Sequence, residues 1–177
     1  MNKLMLAAVA FSVFVSVSQA QDTPQADVAV GYSRLGVRKG YTLTLNGGSG
    51  SVAFNVNNWL GVVGDFGVNQ VTSGSLAGLT AETYTFGSRF SYRRWHRFIL
   101  FAEAVLGGVH ASEVATGFTD ASNAFAFGGG VGVDIGLDSG GRVALRPQLE
   151  SYGFRAKGST TNTNRFSIGI VFRIGKK

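Results

Sequence analysis

Alternation of apolar and polar side chains is the dominant pattern of the chain. Between Asn164 and Ile174, Phe166, Ile168, Ile170, Phe172 and Ile174 share one parity, while Arg165, Ser167, Gly169, Val171 and Arg173 share the other. A period of two means an extended strand with an oily face and a polar or small face. The rhythm recurs upstream. Ala26 to Leu35 sets Val28, Val30 and Tyr32 against Ala29, Gly31 and Ser33. Gly50 to Asn57 sets Val52, Phe54 and Val56 against Ser51, Ala53 and Asn55. Leu60 to Val71 opposes Leu60, Val62, Phe66 and Val68 to Asp65, Gly67 and Asn69. Glu82 to Tyr92 opposes Tyr84, Phe86, Phe90 and Tyr92 to Thr83, Thr85, Gly87 and Arg89.

Phe98 to Ser112 carries Leu100, Ala102 and Leu106 on one side and Ile99, Phe101, Glu103 and Val105 on the other, an unusually apolar second face. Ala124 to Leu137 sets Phe125, Phe127, Val131 and Val133 against Gly128, Gly130, Gly132 and Asp134. Arg142 to Phe154 sets Val143, Leu145, Pro147 and Leu149 against Arg146, Gln148, Glu150 and Tyr152. Pro147 has no N–H for a ladder, so a bulge or a lost bond is expected there.

The spacers between these eight strands alternate in length. Gly36 to Ser49, Thr72 to Ala81, Glu113 to Asn123 and Ala156 to Thr163 are long and polar, with Ser, Thr, Gly and Asn, and read as loops. Asn58-Trp59, Arg93 to Arg97 and Asp138-Ser139-Gly140-Gly141 are short turns. The pattern predicts an all-β, eight-stranded antiparallel up-and-down transmembrane β-barrel. An even strand count puts both ends of the barrel chain on one side.

Met1 to Ala20 stands outside this pattern. Lys3, the apolar run Leu4 to Val17 and the small-x-small Ser18-Gln19-Ala20 have the form of a cleaved secretory signal. The run is short for a membrane helix, and no cysteine lies near the cut to carry a lipid anchor. The expected mature chain, residues 21–177, is a single barrel domain. It holds fifteen basic and ten acidic residues, a net +5. With no cysteine there is neither a disulfide framework nor a thiolate metal site. The arginines are spread along the strands rather than clustered, which speaks against nucleic acid.

Charge decides which way the oily face looks. A soluble lipocalin would turn it inward and carry a charged exterior. Here the polar face is mostly Gly, Ser, Ala and Asn. Its charges are few and mixed in sign: Asp65, Arg89, Glu103, Asp134, Arg146 and Glu150. That suits a lumen plugged by ion pairs, with the oily face in lipid. Eight strands enclose a space that side chains can fill. Trp59, Tyr92, Trp95, Phe98 and Phe172 fall at the periplasmic interface and Tyr32, Tyr84 and Phe125 at the outer one, the places where aromatic belts form.

Asn57-Asn58-Trp59-Leu60-Gly61-Val62, Arg142 to Tyr152 and Phe166 to Ile174 together resemble the small outer-membrane β-barrels of the OmpA/OmpX type, often labelled porin-like. Ser167, Gly169, Phe172 and Ile174 are similar to the sorting signal of that family, although the chain runs on through Gly175, Lys176 and Lys177. The resemblance implies a monomer in the outer membrane of a Gram-negative bacterium, inserted by the barrel-assembly machinery and surrounded by outer-membrane lipids and lipopolysaccharide. It also implies loops able to contact an extracellular ligand. The peptidoglycan-binding domain of full-length OmpA-type proteins is not expected here.

Catalysis is not expected, and no cofactor or metal is implied. His110-Ala111-Ser112-Glu113 holds the residue types of an activated nucleophile. The lipid A deacylase barrels, however, carry their His-x-Ser on the penultimate strand, which here reads Arg146-Pro147-Gln148-Leu149-Glu150-Ser151. His96 beside Trp95 is a turn residue, and two separated histidines do not make a zinc site. Gly128-Gly129-Gly130-Val131-Gly132 has the wrong spacing for a dinucleotide loop. A non-enzymatic barrel with a structural or surface-adhesion role is the first reading. A narrow diffusion channel is the second; a lipid A-modifying enzyme and a soluble lipocalin come after it.

Overall fold

A computed structural model describes residues 23–39, 41–71, 79–95, 97–115, 118–156 and 158–175. The leader, residues 1–20, and His96 lie outside these residues. Eight strands follow one another around a closed barrel: β1 Ala26–Lys39, β2 Tyr41–Asn55, β3 Leu60–Gln70, β4 Thr80–Tyr92, β5 Phe98–Ala115, β6 Phe118–Gly136, β7 Val143–Ala156 and β8 Ser159–Ile174. Each pairs antiparallel with the next, and β8 closes on β1. The register can be followed around the ring. It passes from Asp27 through Ala53, Val63, Gly87, Val105, Gly128, Tyr152 and Thr163, and returns at Val37, ten residues further along β1. A stagger of that size means steeply tilted strands, of the order of 35–45°.

Three of the four expected long loops are not loops. β1 and β2 stay paired through Gly36↔Thr44 to Lys39↔Tyr41, which takes up every described residue of Gly36 to Ser49. β5 and β6 stay paired to Ala115↔Phe118, and β7 and β8 to Ala156↔Ser159. Of the fourth segment, 72–78 lie outside the described residues, and Thr80 and Ala81 already belong to β4. Glycine, Asn and Thr mark turns by composition, but a ladder persists wherever the inward row still has apolar partners.

At the other end the turns are tight. Asn57 Oδ1 accepts from the N–H groups of Trp59 and Leu60 at 2.9 and 2.7 Å. Asp138 carboxylate oxygens accept from Arg142 and Val143 at 3.1 and 2.8 Å, and Gly141 takes the left-handed φ of 65° that this turn needs.

Pro147 interrupts the ladder without shifting it. β6 and β7 pair through Gly132↔Gln148 and resume at Ile135↔Leu145, while Val133, Asp134, Arg146 and Pro147 drop out. The register is the same on both sides, so there is a gap and no bulge. Asp134 and Arg146 face each other across that gap.

The two ends of the barrel have opposite polarity. Toward the termini, apolar residues look out and charges look in: Asp27 beside Val28, Asp65 beside Phe66, Arg89 beside Phe90, Asp134 beside Val133, Arg165 beside Phe166. Phe54 is 62% exposed while the Arg89 side chain is 1% exposed. Toward the β1–β2 and β5–β6 hairpin tips the order reverses on seven strands. Arg34, Asn46, Gln70, Glu82, His110, Asn123 and Arg155 look out. Their chain neighbours Leu35, Leu45, Val71, Ala81, Val109, Ala124 and Phe154 look in and pack together. On β8 the inward row at this level is Thr161 and Thr163.

Candidate functional site

The lumen below that apolar cluster is filled by two layers of paired charge. In the layer nearest the termini, Arg146 grips Asp134 with two hydrogen bonds of 2.6 and 2.8 Å. This fork replaces the backbone ladder lost at Pro147. Arg173 reaches the same carboxylate at 3.2 Å and also donates to the Gly141 carbonyl at 2.9 Å. Asp27 sits among Arg93, Arg89 and Arg173 at 3.6, 3.9 and 4.0 Å, and accepts from Asn55 Nδ2 at 3.3 Å. The guanidiniums of Arg89 and Arg146 both lie against the Phe101 ring, each 4.7 Å from its centroid. Such stacking stabilises cations that have left water, and it accounts for Phe101 on the inner face of β5, while Val105 and Val109 pack in apolar clusters. Arg89 Nε donates to Glu103 at 2.5 Å, and Gln148 Nε2 donates to the other Glu103 oxygen at 3.1 Å.

The second layer is centred on Arg165. Its guanidinium donates to both oxygens of Glu150 at 2.6 and 2.8 Å, and pairs closely with Asp65 across the lumen. Tyr152 donates its hydroxyl to Glu150 at 2.6 Å and places its ring 5.4 Å from the Arg165 cation. Gly67 makes the room: a Cβ there would lie 2.6 Å from Arg165 Nη1. One cation lies between two carboxylates here, and four cations meet three carboxylates in the layer below. Together the two layers balance at five of each among the described residues.

All six charges picked out from the sequence lie inside: Asp65, Arg89, Glu103, Asp134, Arg146 and Glu150. The sequence reading missed Asp27, Arg93, Arg165 and Arg173. Parity had placed Arg165 and Arg173 inward, but register supplied the partners: Glu150↔Arg165 and Arg89↔Glu103 are directly opposite pairs. Arg93 comes from a turn, where no parity points to the lumen.

The aromatics form two rings on the outside. Trp59 stacks on Phe90 at 6.1 Å and Tyr92 meets Trp95 edge-on at 5.6 Å, with Phe98 and Phe172 exposed at the same end. Tyr32, Tyr84 and Phe125 are exposed, and each lies two residues short of the polar row at Arg34, Glu82 and Asn123. Ser167 is buried and Gly169 faces Gly31 across the closing seam, while Phe172 and Ile174 are exposed. His110 pairs with Asn123 at 2.7 Å on the outer face. The Glu113 side chain lies outside the described residues. Among the described residues, no group of three His, Asp or Glu side chains is placed to hold a metal ion.

No family model and no curated protein sequence matches the chain. Solved structures do. Neisserial surface protein A matches with a TM-score of 0.73 at 12% identity, over 85% of this chain and 97% of that one. The attachment invasion locus protein Ail of Yersinia pestis matches with 0.63 at 15%, over 86% and 99%. The N-terminal barrel of Pseudomonas aeruginosa OprF matches with 0.52 at 12%, over 87% and 100%. The fold is therefore that of the small eight-stranded outer-membrane barrels.

Proposed function

We propose that the chain is an integral outer-membrane barrel with a lumen closed to solutes, serving a structural or surface-contact role rather than a catalytic one. One observation carries this reading: below the polar row, the oily rows of the strands look outward while five guanidiniums and five carboxylates face one another inside. A charge on the outer face at mid-bilayer would cost about 2–4 kcal/mol, and the described strands carry none there. The neighbours share the fold, and of the solved structures with it one is named as a surface protein and one as an outer membrane protein, which supports the location. Arg34 and Arg155 on the polar row suit anionic headgroups of lipopolysaccharide. Export by the signal segment, insertion by the barrel-assembly machinery and a monomeric state follow from this reading. The hairpin end then faces outward, where contacts to extracellular ligands are made.

The test is made on the folded protein in bilayers. Membrane fractionation, heat-dependent gel mobility and planar-bilayer recording should give an outer-membrane band, a mobility shift on boiling and no steady conductance. Steady open steps altered by Arg146→Ala or Glu103→Ala would establish the diffusion channel instead. A specific observation favours that second reading: Arg89 Nη1 and Nη2 and Arg146 Nη1 have no hydrogen-bond partner among the described residues.

A further inference from the structure

The reversal of polarity leaves a cup at the hairpin end. Leu35, Leu45, Val109 and Phe154 belong to its wall. The enclosed space is about 350 Å³. That is at the small end of the ~300–1,000 Å³ typical of ligand sites. The wall is a continuous ring of strands, so a partner must enter end-on, and a folded domain or peptide strand has no free edge to pair with. Below the cup, Tyr152 stacks on the cup-lining Phe154 at 5.8 Å and links the cup to the Arg165–Glu150 layer. Ser159 and Thr161 are the polar side chains in the wall.

We infer that this cup is a binding site for a single uncharged alkyl chain or a compact lipophile bearing at most a hydroxyl. The apolar wall takes the chain, and Ser159 and Thr161 in that wall are the side chains a hydroxyl meets. A charged head would have to be desolvated against leucines, so ionised ligands are disfavoured. An eight-stranded ring that is dry inside and polar outside is the arrangement in which soluble barrels hold one small ligand. The inference rests on the membrane reading only for the cup's position outside the bilayer.

The chain has no cysteine, so an introduced one is a unique reporter. Ala111→Cys places a thiol inside the cup, and Ser112→Cys places one on the outer face beside it. The full mature protein is refolded in phosphatidylcholine nanodiscs and labelled with N-ethylmaleimide in the presence of hexanol, octanol or decanol. Labelling of the Ala111→Cys protein should slow, with the protecting alcohol concentration falling about fourfold per added methylene, and then level off once the cup is full. Ser112→Cys should be unaffected. Leu43→Cys against Thr44→Cys repeats the comparison on β2 should the β5 pair fail to fold.

Equal slowing inside and outside would overturn the site, because it would report a bilayer effect. So would protection by glycerol as strong as by decanol. An Ala111→Cys thiol that is unreactive with no alcohol present would overturn it too, since the chain would then fill its own cup. Conductance recorded on the same samples keeps the two proposals separate: an open lumen would sink the closed-barrel reading and leave alcohol protection to be judged by itself.

Discussion

Val62 and Gln70 lie on the same outer row of β3, yet they are built for different surroundings. Around Val62 the outside is aromatic and aliphatic, and the inward row runs from Val63, packed with Ala53, Val105 and Tyr152, to Asp65, which pairs with Arg165. Around Gln70 the outside is polar and the inside is packed leucine, valine and alanine. On the proposed membrane reading, one strand therefore serves as a membrane element over one part of its length and as a wall of a water-exposed barrel over the next. The alternation itself never breaks; only the meaning of its two parities is exchanged. Period-two patterning fixes which residues share a face, not which face meets which solvent.

The most damaging change falls in the ionic part. Arg165→Ala would leave Asp65 and Glu150 facing each other with their shared cation gone. Removing one partner of a buried pair costs about 3–5 kcal/mol. Urea unfolding in lipid vesicles, followed by Trp59 and Trp95 fluorescence, should show that loss. Replacing the whole group by Asp65→Leu, Glu150→Leu and Arg165→Met should recover most of it, because an apolar set of similar size leaves no orphaned charge. A triple variant as weak as the single one would show that the charges supply more than mutual neutralisation.

Next in size is a direct test of the boundary. Val62→Arg should destabilise by about 2–4 kcal/mol, whereas Gln70→Arg, further along the same row, should change stability by less than about 0.5 kcal/mol. Equal costs at the two sites would erase the distinction between the two ends. Within the cup, Leu35→Ala should cost about 2 kcal/mol, the low end for a buried leucine, because an open-ended site relaxes more than a sealed core. It should also weaken protection by decanol in the labelling experiment.

The sequence made the strand number, the faces and the six mid-strand charges legible, because each depends on local periodicity. It hid the height of the barrel. Gly36 to Ser49 looks like a loop because Asn46, Gly47, Gly48 and Ser49 are turn formers. The structure pairs them instead: Asn46 receives the Tyr32 hydroxyl at 2.7 Å, and Gly47 and Gly48 lie opposite Ser33 and Tyr32. The signal that could have been read was Leu43, Leu45, Val109 and Ala111 keeping inward parity beyond the last oily outward residue. Arg165 and Arg173 were hidden for a different reason, since a partner across the lumen is a property of register and shear, neither of which a single strand contains.

The smallest effect lies at the foot of the barrel, where turns rather than side-chain packing set the geometry. Asp138 is fully exposed, and its carboxylate accepts from the backbone N–H groups of Val143 and Arg142. Those bonds favour the ionised form and hold its pKa below the ordinary carboxylate value. The unfolded chain then binds the proton more readily than the folded one. The turn's contribution is complete above the unfolded pKa of about 3.9 and fades as pH falls through the lower folded value. Asp138→Asn should therefore lower stability slightly at neutral pH, with the difference from the parent closing below about pH 4. Paired unfolding curves at neutral pH and at about pH 3, below that unfolded pKa, would measure it. A gap of the same size at both pH values would mean that the side chain holds the turn by shape alone, and that the hydrogen bonds to Arg142 and Val143 carry no charge-dependent part.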